Sequence, residues 1–392
     1  MALRYIIIWF LLVNVKSLLF AEIRPSLLEH EPGDDIFFSI QKGLNFLDHS
    51  QNRDGSWGSP RLTKDLNIYT SVEQGHLALR TGVTALAICA LSEAQLLGMP
   101  QHAATLEKGC HWLMGHLKQV KRSDPEILYN VWTHAYAIQA LLYIKQLDRC
   151  THDEMLLINE LIVKQIDDLE KYESIGGGWG YLNLIFPTQK PDSGATSFTT
   201  ATVLIILHDA MRAGFYVNPK LINRALNVIK KMKNKDFSYV YSVKHFWRPA
   251  YKSNNPGGSL GRTQVCSLAL EAFGDESFTR EVKRTWLDKF IQRHGWLDMA
   301  RKRPIPHESW FDVAGYYYYY GHYYASMTAS KLTRAEQVEY GTQLATLIMQ
   351  RQEKDGSWWD FPLYDYHKYY GTSFALMALL RYELVLNEAT IY

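Results

Sequence analysis

An internal period restricts this chain more than any other feature. Turns rich in glycine and aromatic residues recur as QNRDGSWG over 51–58, GGGWGY over 176–181, QRHGWLD over 292–298 and RQEKDGSWWD over 351–360. Their tryptophans, Trp57, Trp179, Trp296 and Trp358, are separated by 122, 117 and 62 residues. Halving the two longer gaps gives a unit of about sixty residues and places degenerate turns near His116 and Tyr239. Both positions follow a helical pattern, KGCHWLMGHLKQV and INRALNVIKKMKN.

Each turn is preceded by an amphipathic helical segment and followed, after a variable loop, by a far more apolar one. The six apolar segments read RTGVTALAICAL, VWTHAYAIQALL, ATSFTTATVLII, GRTQVCSLALEAF, AGYYYYYGHYYAS and YGTSFALMALLRY. Small and hydroxyl residues crowd their first turns, where Ser and Thr can accept from free backbone N–H groups. Apolar residues then fall on every side, the pattern of a helix surrounded by protein. Repeats of this length cannot bury their faces singly, and closure removes the exposed end that an open stack must cap. The expectation is an all-α fold: a closed α/α toroid of six hairpins, each an outer amphipathic helix followed by an inner buried one, in one domain over 35–392. An open solenoid scaffold fits less well, because its inner helices would need a polar concave face.

The first residues, MALRYIIIWFLLVNVKSLLFAEI, carry one early cation at Arg4, an apolar run from Tyr5 to Val13 and a small residue at Ala21. That is the pattern of a signal peptide over 1–21, or of a retained signal anchor, and it makes export to a periplasmic or secreted location the expectation. Residues 22–34, with EHEPGDD, read as a polar lead-in, and no later stretch is expected to reach spanning length. Lys+Arg 42 against Asp+Glu 40 leaves a net charge of +2, too little for a nucleic-acid partner. Cys89, Cys110, Cys150 and Cys266 form no CxxC pair, which removes zinc-ribbon and redox motifs. They read as buried free thiols, with Cys110 and Cys150 the one pair considered for a disulfide.

QNRDGSW and QEKDGSW share the form Q-x-x-D-G-S-W, and GGGWGY keeps its glycine and aromatic core. In this the chain resembles the prenyltransferase and squalene-cyclase repeat superfamily, in particular its single-toroid, exported bacterial members. The resemblance implies an apolar small molecule or lipid, an isoprenoid above all, as ligand. It implies prenyl transfer or cyclisation as the inherited chemistry, and Trp57, Trp179, Trp296 and Trp358 as structural staples. The physics of the turn agrees: glycine permits the tight turn, aspartate accepts from its backbone, and the ring packs between helices. The D-x-D-D acid motif of the cyclases does not occur; the acidic doublets are Asp34-Asp35 and Asp167-Asp168. The D-x-C zinc motif of the protein prenyltransferase beta subunits would fall on Gln264 and Cys266, with His367 resembling its histidine. Glutamine stands where that site needs aspartate, so no cofactor is expected, and Cys266 with His367 is the one zinc candidate. Gly109-Cys110 is followed by His111, which excludes the G-C-G-E-Q thioester.

The remaining question is the run YYYYYGHYY over 316–324, seven tyrosines in nine residues at the start of the fifth inner helix. At 3.6 residues per turn Tyr316, Tyr320 and Tyr323 share a face, with Tyr317 and Tyr324 beside it. Facing the axis they would line an aromatic wall, and Gly321 would let a neighbouring helix come close. Arg80, His134, Arg262, Gln264 and His367 are further candidates for the cavity mouth, Arg262 being expected to pair with Asp312. Asp192, Asp312 and His322 are the candidate catalytic groups, and with Asp365 and His134 they also keep open a carbohydrate-active toroid, which would need two facing carboxylates. A non-catalytic binding or scaffold protein is the other alternative.

Overall fold

The computed structural model describes residues 35–65, 72–183, 188–192, 194–247 and 250–390; the expected signal segment over 1–21 and the expected polar lead-in over 22–34 lie outside them. The described residues form thirteen α-helices: α1 (Asp35–His49), α2 (Glu73–Leu96), α3 (Ala103–His116), α4 (Asn130–Gln146), α5 (His152–Lys171), α6 (Ser197–Arg212), α7 (Pro219–Met232), α8 (Leu260–Ala272), α9 (Arg280–Gln292), α10 (His294–Ala300), α11 (Tyr317–Ala329), α12 (Arg334–Met349) and α13 (His367–Thr390). Apart from the short α10 they divide into two layers. The inner helices α2, α4, α6, α8, α11 and α13 each touch the next, and α13 packs back on α2, so the ring closes. The fold is an all-α, closed α/α toroid.

The pairing of layers differs from the expected order. Each outer helix packs on the inner helix before it: α3 on α2, α5 on α4, α7 on α6, α9 on α8 and α12 on α13 as well as α11, while α1 packs on α13. The first helix therefore completes the last hairpin, and the two ends of the domain lock the ring. Gln352 makes this closure polar as well, donating from Nε2 to the Ser39 carbonyl at 2.9 Å and to the Gly356 carbonyl at 2.9 Å. Gln51 repeats the device one unit on, reaching the Thr105 carbonyl at 2.8 Å.

Trp57, Trp179 and Trp358 are fully buried. Their indole N–H groups donate to the carbonyls of Leu47, Leu169 and Ile348, ten residues back, at 2.8, 2.7 and 2.9 Å. Their backbone N–H groups donate to Thr84, Thr200 and Thr372 hydroxyls at 3.1, 2.9 and 2.9 Å. The inner-helix hydroxyls thus bond the turns; none of α2, α4, α6, α8 or α11 is capped by its own N-cap side chain. The degenerate turn at Tyr239 copies the pattern, its N–H donating to Ser259 Oγ at 2.9 Å. Phe237 adopts a positive φ of 65° there, where Gly55 and Gly356 stand at 96° and 87°. Trp296 departs from the set: it lies in α10, partly buried, its ring centroid 4.4 Å from that of Phe311 and tilted 42° to it.

Among the described residues α2 is long and apolar enough to cross a membrane, contrary to the expectation, but 83% of its most apolar window is buried within the protein. An inner toroid helix meets protein on all sides and acquires this composition without a membrane. The four cysteines are free thiols.

Candidate functional site

Two joined cavities occupy one end of the ring, where the inner helices begin. The deeper, of about 180 Å³, is walled by the N-terminal halves of α2, α4, α6, α11 and α13, through residues such as Val83, Trp132, Phe198, Tyr320 and Phe374. Thr133 is its one polar residue besides tyrosines, and Thr133 Oγ1 already donates to the Ala78 carbonyl at 2.7 Å. Among the described residues, no charged one lines this chamber. The outer cavity, a vestibule of about 620 Å³, is more polar than the chamber, with Glu126, Asp312, His245 and His307 among its walls. Tyr129, Tyr181 and Tyr316 line both, so they stand where the two meet.

Local backbone pairing places these rings. Ile127 bridges Leu182, and Leu128 N–H donates to the Tyr181 carbonyl at 2.9 Å, which fixes Tyr129 and Tyr181 on neighbouring rims. Tyr241 occupies the matching place in the next repeat: Ser197 N–H donates to its carbonyl at 3.0 Å, and it follows Tyr239 as Tyr181 follows Trp179. The hydroxyls of Tyr181 and Tyr241 hydrogen-bond each other. Tyr316 OH lies 3.4 Å from both and 3.2 Å from His307 Nε2. His307 Nδ1 faces the Asp312 carbonyl oxygen at 2.6 Å. A carbonyl only accepts, so Nδ1 carries the proton and Nε2 accepts from Tyr316. Burial lowers the His307 pKa, keeping the ring neutral at neutral pH, and burial raises those of Tyr181, Tyr241 and Tyr316.

The loop carrying His307 is conformationally forced. Lys302, His307, Phe311 and Asp312 have φ of 67°, 64°, 63° and 55°, four of the seven left-handed non-glycine residues among those described. Such backbone persists only where its surroundings hold it. The loop is tied to the turn beside it, Asp312 Oδ2 accepting the Ser253 N–H at 3.2 Å, and Arg262 fixes that turn: it is 1% exposed and donates to the carbonyls of Tyr239 at 2.9 Å, Gly258 at 2.6 Å and also Ser253.

The tyrosine run is divided by its helix. Tyr316, Tyr317 and Tyr320 face the chamber. Tyr323 and Tyr324 sit deeper and fill the axis: Gln139 Nε2 donates to Tyr323 OH at 2.8 Å, and Tyr324 OH lies 3.2 Å from Thr202 Oγ1. Tyr318 and Tyr319 turn toward the outer layer, Tyr318 lying 5.0 Å from the ring of His294. As expected, Gly321 meets another helix, since a Cβ there would stand 3.1 Å from Gly261 Cα.

Several candidate residues lie elsewhere. His134 is buried between α4 and α5, its Nδ1 2.6 Å from Gln165 Oε1. His322 is buried on the outer side of α11, its Nε2 3.1 Å from His294 Nε2. Asp192 lines neither cavity, and its N–H donates to Asn183 Oδ1 at 3.3 Å. Asp365 accepts from Ser59 Oγ at 2.8 Å, and Arg80 reaches Asp54 at 2.7 Å. Among the described residues no three of His, Cys, Asp and Glu converge as metal ligands would. The Cys266 thiol is pushed up to about 12 by burial, and His367 Nδ1 faces the Tyr364 carbonyl at 2.7 Å.

One group escaped the sequence reading. Asp360, fully buried, accepts the Tyr319 N–H at 3.0 Å and shares a hydrogen bond with the hydroxyl of Tyr370, whose ring lines the chamber. Burial pushes its carboxyl up to about 7. The repeat offered a signal, because Asp360 lies two residues after Trp358, as Tyr181 and Tyr241 lie two after Trp179 and Tyr239.

With this geometry established, comparison with solved structures places the architecture. The chain is similar to cellobiose 2-epimerase from Spirochaeta thermophila DSM 6192, at 14% identity and a TM-score of 0.59 over 95% of this chain and 98% of that one. It is similar to the type II terpene cyclase MstE from Scytonema in complex with geranylgeranyl dihydroxybenzoate, its substrate, at 14% identity and a TM-score of 0.51 over 93% and 99%. An unsaturated glucuronyl hydrolase specific for heparin matches at 12% identity and 0.55 over 89% and 97%. The shared property is the toroid. At these identities it covers terpene cyclases and carbohydrate-active enzymes alike and leaves the specific function undetermined. No protein-family profile and no curated sequence matches the chain.

Proposed function

We propose that the protein holds an isoprenoid or similar apolar chain in the aromatic chamber at the head of the ring. The observation that carries this reading is the lining: aromatic and aliphatic side chains with no charge among them, and the one threonine already bonded. Such a wall excludes water and gains by burying hydrocarbon, and it offers a sugar no pair of carboxylates. A solved toroid of similar extent, a type II terpene cyclase, is in complex with geranylgeranyl dihydroxybenzoate, which supports a prenyl chain as the class of ligand.

The test is occlusion. Gly82 lines the chamber, and a Cβ there would meet only Thr133, at 3.5 Å, so a larger side chain enters open space. Gly82→Leu should fold normally and abolish uptake of farnesene followed by tryptophan fluorescence. Equal uptake by both proteins, or no uptake by the unaltered one, overturns the reading.

A further inference from the structure

The vestibule and the hydroxyl cluster at its base specify the other end of the ligand. Resting on the chamber reading, we propose that the ligand is an amphiphile with an uncharged hydroxyl head, seated on the hydroxyls of Tyr181, Tyr241 and Tyr316 while its chain runs into the chamber.

The position follows from the geometry. Tyr181 and Tyr316 face both cavities, so a chain that fills the deeper one brings its head to their hydroxyls. The hydrogen count then decides the head's chemistry. Tyr316 gives its proton to His307 Nε2, and one of Tyr181 and Tyr241 gives its proton to the other. One hydroxyl hydrogen is left, held only by a long contact of 3.4 Å to the Tyr316 oxygen and so available to a closer acceptor, beside oxygens that retain acceptor capacity. The cluster thus offers one donor and several acceptors, which suits an alcohol or phenol that both gives and receives a hydrogen bond.

Charge argues the same way. A diphosphate head needs several donors and cations. None of the described residues lining the vestibule is Lys or Arg, whereas Glu126 and Asp312 are there. Among the described residues, the guanidinium groups of Arg262 and Arg122 are engaged with backbone. Arg262 serves the carbonyls of Tyr239, Gly258 and Ser253, and Arg122 those of Asp124, Pro125, Thr188 and Gln189. Neutral His307 adds no positive charge.

The experiment measures dissociation constants of the full-length protein for four probes sharing one hydrocarbon chain: farnesol, farnesene, farnesylamine and farnesyl diphosphate. Farnesol should bind tightest, at least about fivefold above farnesene, as expected for one or two neutral hydrogen bonds. Tyr181→Phe and Tyr316→Phe together should remove that advantage, bringing the farnesol-to-farnesene ratio to about one, while the far-UV circular dichroism and melting temperature show that the variant folds. Tighter binding of the diphosphate or the amine overturns the head assignment while the chamber reading stands. So does a farnesol-to-farnesene ratio that the double variant leaves intact. Failure of all four to bind overturns both.

Discussion

Arg262 and Asp312 grip the same residue from opposite sides: Arg262 donates to the Ser253 carbonyl, and Asp312 Oδ2 accepts the Ser253 N–H at 3.2 Å. The two were expected to form an ion pair; among the described residues they instead clamp one turn of the vestibule. Arg262→Leu should destabilise the fold by about 3 kcal/mol, because three buried carbonyls lose their donor. Asp312→Asn should cost under about 1 kcal/mol, since the amide oxygen still accepts and asparagine tolerates a left-handed backbone. Urea unfolding of both variants checks the contrast, and equal losses would contradict it.

The staples make a second contrast. Trp358 is fully buried and donates to Ile348, whereas Trp296 is partly exposed beside Phe311. Trp358→Ala should cost about 3–5 kcal/mol and Trp296→Ala clearly less, read as shifts in the denaturant midpoint.

Close approach of α8 and α11 depends on glycine. A Cβ on Gly261 would stand 2.6 Å from Tyr317 Cβ, and Tyr317 lines the chamber. Gly261→Ala should cost about 1–3 kcal/mol through forced displacement and weaken binding of any chamber ligand. Thermal melts and the farnesene titration would detect the two effects separately.

Two buried groups tilt the pH profile in opposite directions. The Asp360 carboxyl, ordinarily near 3.8, is held at about 7. Between these values the folded chain keeps a proton the unfolded chain has lost, so this group's contribution falls as pH rises. His294 is pushed by burial from 6.5 to about 4. Between those values the unfolded chain binds the extra proton, so stability rises with pH. Asp360→Asn should therefore make the measured stability climb more steeply from pH 4 to 7, and His294→Gln should flatten it. Unfolding curves at several pH values decide the signs.

The sequence by itself determined the ring. Six units of similar length, each with an apolar helix and a glycine-aromatic turn, leave closure as the way to bury every inner face, and the turns bond as their residue types require. It also marked Tyr316 and Tyr320 through helical spacing alone. Which layers pair, and where the site lies, only the tertiary structure decided. Spacing along one helix does not reveal that Tyr323 meets Gln139 of α4 across the axis, nor that His134 and His322 turn toward the outer layer. Tyr181, Tyr241 and Tyr316 come from three repeats, and their hydroxyls meet because the ring brings distant turns to one rim. Asp360 likewise acquires its raised pKa from burial behind Tyr370, an environment that exists only once the last inner helix has docked.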